Sequence, residues 1–278
     1  MNHFRMKIES RRLRACLILT LLIGSCSIVP LTGRRQLNLV SDSSVLSMGA
    51  QQYDEFLSSH EALRKTKEAD MVQRVGRRIQ DAVERYFAQN NLSGDLKGYA
   101  WEFNLVDSKE VNAWCMPGGK VVVYSGILPV AGDEAGLAVV MGHEIAHAVA
   151  KHGNERMSQA LVTQLGGTAL SVALESYPEQ TQALWMAAFG VGSQVGILLP
   201  YSRLQESEAD RLGLIFMAMA GYDPNEAPRF WSRMAAEKGG AAPPEFLSTH
   251  PSDKTRIEKI KEEIPETMKY YEQDRSKQ

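Results

Sequence analysis

Two histidines and a glutamate interrupt the apolar stretch VVMGHEIAHAVAKHG at residues 139–153. On a helix, His143 and His147 lie one turn apart on the same face, where two imidazoles can bind one metal ion. Glu144 follows about 100° around the helix, in position to act as a general base for a metal-bound water. The H-E-x-x-H spacing therefore predicts a metal-dependent hydrolase. The alternative is a pair of core histidines bonded to nearby carbonyl groups.

A catalytic zinc ion usually takes three protein ligands and leaves its fourth position open to water. The best source of a third ligand is the segment YSRLQESEADRLG at residues 201–213. Glu206 and Asp210 are four residues apart, so Glu206 can bind the metal while Asp210 accepts a hydrogen bond from a ligand histidine. Glu208 should face away from both. The alternative is that these acids form a solvated helix face with neighbouring arginines.

The last histidine of the first stretch, His152, is predicted to take no part in the site. It lies nine residues after His143, about 180° around a continuous helix. Asp133 suits an N-cap and Gly153 a C-terminal stop, which together predict one helix of about 19 residues. His152 should then lie at the surface near the end of that helix, where its charge suits the helix dipole.

The segments around this helix predict a mainly helical α+β fold. Residues 71–87 repeat apolar side chains every three to four positions, as in an amphipathic helix. Residues 99–108 alternate apolar and polar side chains, and residues 110–128 are typical of two strands joined by a Pro-Gly-Gly turn. These strands predict a small sheet just before the H-E-x-x-H helix. A further helix is predicted from about residue 202 to residue 219.

The sequence HEIAH, followed by SRLQESEAD, resembles the gluzincin metallopeptidases of the CAAX prenyl protease/HtpX-like family. The strand-turn-strand segment and STHP with a following arginine also resemble that family, over roughly residues 35–265. The resemblance implies a zincin-like fold with the small sheet packed against the H-E-x-x-H helix. It further implies one Zn²⁺ per chain, held by His143, His147 and Glu206, and peptide hydrolysis with Glu144 as general base.

Two other residues each allow a functional and a structural interpretation. Asn112, on the strand that ends near the expected cleft, can hold substrate backbone or simply flank a turn. His250 precedes Pro251, which restricts it to an extended conformation, so the loop can aim its side chain. His250 can serve as a catalytic hydrogen-bond donor, as a fourth zinc ligand that keeps the enzyme latent, or as an ordinary surface histidine.

The first 25 residues differ from the rest of the chain. A basic start and a short apolar run are typical of a secretory signal peptide, and IGSC resembles the bacterial lipoprotein box. The pattern predicts that residues 1–25 are removed and that Cys26 receives lipid. Residues 26–45 would then tether a metallopeptidase domain at residues 46–278. The predicted location is the outer membrane of a bacterial cell envelope, on the side that faces the periplasm.

The chain lacks the flanking membrane spans of the integral-membrane members of the family, so it resembles their soluble, exported lipoprotein branch. An apolar stretch at residues 183–200 is predicted to be a buried helix or a plug near the cleft, and a membrane span is the alternative. The formal net charge of −2 argues against a nucleic-acid partner.

The main functional hypothesis is a zinc endopeptidase that hydrolyses misfolded or misassembled envelope proteins. Its partners would be polypeptide substrates, with outer-membrane assembly components as further candidates. The alternative is a non-catalytic, chaperone-like assembly factor with a structural or latent zinc site, because a fold does not determine a function.

Overall fold

The computed structural model describes residues 26–29, 32–174, 186–187, 189–190, 199–237 and 245–275. The predicted signal peptide and most of the apolar stretch at residues 183–200 lie outside the described residues. No helix in the described part of the chain has the length and apolar character needed to cross a membrane.

The described helices are α1 (Asp42–Ser59), α2 (Lys67–Gln89), α3 (Leu128–Ala131), α4 (Glu134–Val149), α5 (His152–Leu174), α6 (Leu199–Met219), α7 (Glu226–Ala236), α8 (Glu245–Thr249) and α9 (Lys254–Arg275). The described strands are β1 (Cys26–Ile28), β2 (Arg35–Leu37), β3 (Ala62–Leu63), β4 (Glu102–Val106), β5 (Ala113–Met116) and β6 (Lys120–Tyr124).

A four-stranded sheet, in the order β3-β4-β6-β5, covers one side of the core. Strand β4 runs parallel to β6, whereas β5 pairs antiparallel with β6 and lies at the edge. The chain turns from β5 to β6 at Gly118 and Gly119, whose φ angles of 94° and 82° favour glycine. A side chain at Gly119 would also collide with the ring of Trp101. The predicted strand-turn-strand unit is therefore confirmed.

Helix α4 is the central helix of the core. It contacts α6, α2 and the edge strand β5, and residues 136–149 are all buried. The small apolar side chains that surround the H-E-x-x-H sequence allow this burial, because they let the helix approach its neighbours closely. The prediction of a mainly helical α+β fold, with a small sheet packed against this helix, is confirmed.

Helices α4 and α6 cross with their backbones in contact. A Cβ atom added at Gly213 would lie 2.9 Å from the backbone nitrogen of His143, and one added at Gly142 would lie 3.0 Å from the carbonyl oxygen of Gly213. Only glycine permits so close an approach. The crossing brings the helix that carries Glu206 within reach of the helix that carries the two predicted metal-binding histidines.

The end of α4 differs from its prediction. Asp133 caps the helix as expected, since its carboxylate accepts a hydrogen bond of 2.9 Å from the backbone nitrogen of Gly136. The helix ends at Val149, however, and not at Gly153. Lys151 takes a φ of 59°, and its ammonium group bonds to Asp42 and Asp95 at 2.8 and 3.2 Å. The chain therefore bends at Lys151, and α5 begins directly afterwards.

The start of the described chain forms a two-stranded unit, here called the N-terminal ribbon (residues 26–29 and 32–37). Its strands β1 and β2 pair antiparallel, with Ser27 opposite Gln36. Val29 is fully buried, and β2 packs against α5. The leucine that follows the ribbon, Leu39, donates its backbone N–H to the hydroxyl of Ser158 on α5 at 2.8 Å. The ribbon is thus packed onto the helical body.

Candidate active site

Four side chains converge at the centre of the molecule and are here called the metal cage: His143, His147, Glu206 and His250. Each offers one ligand atom, and these atoms all lie within 4.8 Å of one another. The Nε2 atoms of His143 and His147 are 3.1 Å apart, and Nδ1 of His250 lies 3.0 Å from both carboxylate oxygens of Glu206. Two or three imidazoles with one carboxylate form a ligand set that suits zinc.

The cage combines three separate parts of the chain. Helix α4 supplies the two histidines, which lie one turn apart as their spacing predicts. Helix α6 supplies Glu206, and the residue that follows α8 is His250. The surface interpretation of His250 is wrong, because its side chain is 9% exposed and lies inside the cage.

Two groups of the cage, Glu206 and His147, have pKa values shifted toward the charge states that a metal ligand needs. Burial alone would raise the pKa of Glu206, but hydrogen bonds with His143, His147 and His250 hold it far below its ordinary value. Glu206 is therefore ionised, as a metal ligand must be. Burial lowers the pKa of His147 well below 6.5, which favours the neutral imidazole that binds metals.

Glu144 lies beside the cage rather than in it. It is 5% exposed, and its Oε1 atom is buried without a hydrogen-bond partner among the described residues. The same Oε1 lies 3.4 Å from Nε2 of His250. Burial raises the pKa of Glu144, which suits a group that accepts a proton and returns it. A buried acceptor without a partner next to four converging ligands fits a site that holds a metal ion and a reacting water.

A cavity of about 690 Å³ opens onto these residues. Glu144, His147 and His250 line one part of it, and the edge strand β5 lines another. Asn112 also lines the cavity, at the residue before β5, and its side-chain oxygen accepts the backbone N–H of Ala113 at 2.9 Å. The position agrees with the cleft location predicted for Asn112, while its role in substrate binding stays a prediction.

Asp210 occupies the place predicted for it, one helical turn after Glu206. Its Oδ1 lies 3.1 Å from Nδ1 of His143, the nitrogen that faces away from the cage. Burial lowers the pKa of His143, but the hydrogen bonds to Asp210 and Glu206 outweigh this effect and raise it to about 9. Such a carboxylate fixes the orientation and the tautomer of a ligand histidine.

Arg256 is a site residue whose contribution the sequence did not reveal. It is 8% exposed, and it bonds both oxygens of Asp210, at 2.8 Å through Nε and at 2.7 Å through Nη2. Its guanidinium also lies 3.6 Å above the ring of Trp231. We name Asp210 and Arg256 together the aspartate support of His143. In the sequence, the only sign of this residue is that an arginine, Arg256, follows STHP. Because Arg256 lies 46 residues from Asp210, no local pattern connects the two.

The surface position predicted for His152 is wrong, although His152 is not among the converging ligand residues, as predicted. Its side chain is fully buried, and its Nδ1 lies 2.8 Å from Nδ1 of His147. The angle of 180° assumed a continuous helix, but the bend at Lys151 returns the next residue toward the cage. Glu208 faces away from the cage as predicted, and its Oε2 lies 3.3 Å from Nε2 of His152.

Comparison with known proteins places this arrangement in a family. A family model described as peptidase family M48 matches residues 73–264, a span that includes the metal cage, Glu144 and Asp210. The chain belongs to peptidase family M48. The predicted metallopeptidase family is thereby confirmed, whereas its exported lipoprotein branch stays a prediction.

Relatives of this M48 peptidase carry names that describe proteases. Mitochondrial metalloendopeptidase OMA1 of Schizosaccharomyces pombe is 36% identical over 241 residues, which cover 86% of this chain and 67% of the relative. The protein of the same name in Saccharomyces cerevisiae is 30% identical over 271 residues, which cover 92% of this chain and 76% of the relative. The putative beta-barrel assembly-enhancing protease of Vibrio cholerae is 37% identical over 162 residues, or 56% of this chain and 33% of that protein.

The family and the cage together confirm two predictions. The chain is a metalloendopeptidase, and its cofactor is one metal ion, for which the histidine and carboxylate ligands suit zinc.

Proposed function

We propose that this M48 peptidase binds zinc through His143, His147 and Glu206 and uses Glu144 as its general base. The observation that carries the proposal is the buried Oε1 of Glu144, which has no hydrogen bond within the described residues and lies beside the converging ligand atoms. When bound, zinc supplies a Lewis acid that polarises the scissile carbonyl and makes an attacking water more acidic. Glu144 takes the proton of that water and delivers it to the leaving amine.

The chain's own residues prepare this proton transfer. The raised pKa of Glu144 lets the carboxylate hold a proton between the two steps. Asp210 orients His143, and Arg256 keeps Asp210 ionised, because burial would raise the pKa of that aspartate but the guanidinium holds it low. Because Glu144 is only 5% exposed, the proton that it holds between the two steps is shielded from bulk water.

His250 favours a latent form of the same site. Its Nδ1 points into the cage, 3.2 Å from Nε2 of His143 and 3.0 Å from Glu206. A fourth protein ligand closes a zinc site that otherwise keeps one position for water. We expect His250→Ala to keep its zinc and to cleave an unfolded substrate faster than the wild type. Slower cleavage with zinc still bound would instead assign the catalytic hydrogen-bond role, and an unchanged rate would contradict both.

The proposed substrates are misfolded or misassembled proteins of the bacterial envelope. The edge strand β5 lines the cleft and, within the described residues, has a sheet partner on one side only, so it can pair with an extended polypeptide through backbone hydrogen bonds. Such pairing requires an unfolded segment more than a particular sequence, and Asn112 at the start of β5 would bind the same backbone. The Vibrio cholerae relative is named for beta-barrel assembly, and this name supports the proposal that the substrates or partners take part in outer-membrane assembly.

The proposed location is the periplasmic face of the outer membrane, with a lipid on Cys26. This proposal rests on the signal-like residues 1–25 and the lipoprotein-like IGSC sequence. In a bacterial host, Cys26→Ser should stop incorporation of labelled palmitate and move the protein into the soluble periplasmic fraction. Label retained by this variant would contradict the assignment of Cys26.

The decisive experiment for the chemistry compares the wild type with Glu144→Gln. We expect the variant to keep one zinc per chain, while casein cleavage falls by about 10²- to 10⁴-fold, the usual contribution of a general base. Glu110→Gln, at an exposed glutamate, is the matched control and should behave as the wild type. Wild-type cleavage by zinc-loaded Glu144→Gln would show that another group accepts the proton.

A further inference from the structure

A continuous series of buried polar contacts runs outward from the zinc-facing histidine His147. Its Nδ1 lies 2.8 Å from Nδ1 of His152, and Nε2 of His152 lies 3.3 Å from Oε2 of Glu208. These residues are at most 7% exposed. The series therefore lies in the protein interior, where an unpaired polar atom would be costly.

The outer end of the series is in the N-terminal ribbon. Thr32 donates its hydroxyl to Oε1 of Glu208 at 2.6 Å, and Arg34 donates its Nε–H to Oε2 at 2.8 Å. The other two nitrogens of the same guanidinium bond both oxygens of Glu155 on α5, each at 2.7 Å. One arginine thus holds two buried carboxylates, and a paired fork of this kind fixes position as well as charge.

The direction of hydrogen donation along the series is determined at both ends. If Nε2 of His147 binds a metal, its Nδ1 must carry the remaining proton and donate it. His152 then accepts at Nδ1 and donates from Nε2 to Glu208, which can only accept because it is ionised and already bonded to Arg34. A single pattern satisfies every member, so His147 has one tautomer and one ring orientation.

We infer that His152, Glu208 and Arg34 are positioning residues that hold His147 in its zinc-binding orientation, so that the N-terminal ribbon contributes Arg34 to the catalytic apparatus. We name these three residues the histidine support. The inference rests on the proposed role of His147 as a zinc ligand. It extends the apparatus beyond the matched span at residues 73–264, because Arg34 and Thr32 precede that span.

The main test replaces His152 in the full-length zinc protein. In His152→Phe a ring of similar shape remains, but it cannot accept the proton of His147. We expect zinc affinity, measured by competition with a chelator, to fall by about 10- to 100-fold, the range found when outer partners of metal ligands are removed. The visible absorption of the Co²⁺-substituted protein should also change. With zinc in excess, kcat for a peptide substrate should fall while KM stays near the wild-type value.

A conservative variant separates positioning from packing. His152→Asn places an amide oxygen near the position of Nδ1, so it can still accept the proton of His147, although it no longer reaches Glu208. We expect it to recover most of the zinc affinity and a wild-type Co²⁺ spectrum. A folded His152→Phe with wild-type zinc affinity and an unchanged Co²⁺ spectrum would overturn the inference.

The ribbon provides an independent test that does not alter the core next to the cage. Arg34→Ala should weaken zinc binding by about 3- to 10-fold, less than the 10- to 100-fold effect of a direct partner of a metal ligand, because Arg34 acts through Glu208 and His152. Arg35→Ala is the matched control, since Arg35 is the exposed neighbour of Arg34 and should leave zinc affinity unchanged. If His152→Phe does not fold, Arg34→Ala decides, and wild-type zinc affinity in that variant overturns the inference.

One further variant separates this inference from the proposed function. His147→Ala should abolish stoichiometric zinc binding. If it instead keeps zinc with wild-type affinity, the ligand assignment fails and the histidine support has no metal ligand to position. If His147→Ala loses zinc while His152→Phe and Arg34→Ala retain full affinity, the ligand assignment stands and only the support is overturned.

Discussion

The two cage histidines of α4 differ in what holds the nitrogen that faces away from the metal site. Nδ1 of His143 lies 3.1 Å from a carboxylate oxygen, that of Asp210. Nδ1 of His147 lies 2.8 Å from a second imidazole, that of His152. Two side chains with the same proposed role, one turn apart on one helix, are therefore supported by different chemistry.

The two supports also differ in how their charges are distributed. In the aspartate support, Asp210 and Arg256 form one buried ion pair, and each carries a full charge that depends on the other. In the histidine support, a neutral imidazole separates the ligand from Glu208, and Arg34 binds that carboxylate together with Glu155. Loss of the carboxylate should therefore destabilise the aspartate support more, because Arg256 then loses its main partner, whereas Arg34 keeps Glu155 when Glu208 is lost.

The largest expected effect follows from removing Asp210. Asp210→Ala leaves the guanidinium of Arg256 buried without its main partner and removes the acceptor of His143. We expect the free energy of unfolding to fall by about 3–5 kcal/mol, as when one partner of a buried ion pair is removed. Urea denaturation of the zinc-free protein measures this effect separately from zinc binding.

The control for Asp210→Ala is its neighbour on the same helix. Arg211→Ala removes an arginine that is 44% exposed and paired with exposed glutamates, so it should change stability by less than about 1 kcal/mol. Glu208→Ala should lie between these two variants. The comparison between the supports would be wrong if Glu208→Ala were as destabilising as Asp210→Ala.

The same contrast explains which parts of the site could be predicted. Glu206 and Asp210 share a face of one helix, and His143 and His147 share a face of another, so their spacing alone places them together. Arg256 comes from a different helix, and its contact with Asp210 depends on how α9 packs against α6. No local pattern contains that information.

The surface position predicted for His152 is wrong for a different physical reason. The helical-angle argument holds only while the helix continues, and the chain leaves the helical conformation at Lys151. The ion pairs of Lys151 with Asp42 and Asp95 stabilise this bend, and both acids are distant in sequence. The fold class could be predicted because periodicity is local, whereas the histidine support depends on contacts among α5, α6 and the N-terminal ribbon.

A smaller effect is expected from Arg256→Lys. Lysine keeps the positive charge but lacks the planar fork that bonds both oxygens of Asp210 and lies over Trp231. We expect the free energy of unfolding to fall by about 1.5–3 kcal/mol, the contribution of a hydrogen bond to a charged group. Urea denaturation measures the change. Stability equal to the wild type would show that charge alone, without the fork, holds the aspartate support.

The helix crossing should affect both supports to a similar degree. Gly213→Ala places a Cβ atom 2.9 Å from the backbone of His143, so α4 and α6 must separate slightly. We expect a loss of about 1–3 kcal/mol in the free energy of unfolding, as for other overpacked core positions. Gly153→Ala is the control, because its added Cβ would meet no atom within 4 Å beyond its chain neighbours and its own helix backbone, and its φ is not positive. Equal stability of the two variants would contradict the close crossing.

The smallest effect is expected at Thr32, which bonds Glu208 of the histidine support. Thr32→Val keeps the shape of the side chain but removes the hydroxyl that donates to Oε1 of Glu208 at 2.6 Å. We expect the free energy of unfolding to fall by about 0.5–1.5 kcal/mol, the usual net contribution of one hydrogen bond. Zinc affinity should stay within about twofold of the wild type, since Arg34 still holds the other oxygen of Glu208.

Thr32→Ser is the matched control for this last variant, because serine keeps the hydroxyl and loses only a methyl group. It should retain most of the stability lost in Thr32→Val. If Thr32→Val weakened zinc binding as strongly as His152→Phe, the support would act as one unit whose members cannot be ranked. If the loss of zinc affinity instead became smaller from His152 through Arg34 to Thr32, each contact would transmit only part of the positioning effect to His147. That behaviour is expected of a support built from separate hydrogen bonds, and not of one built from a single buried ion pair.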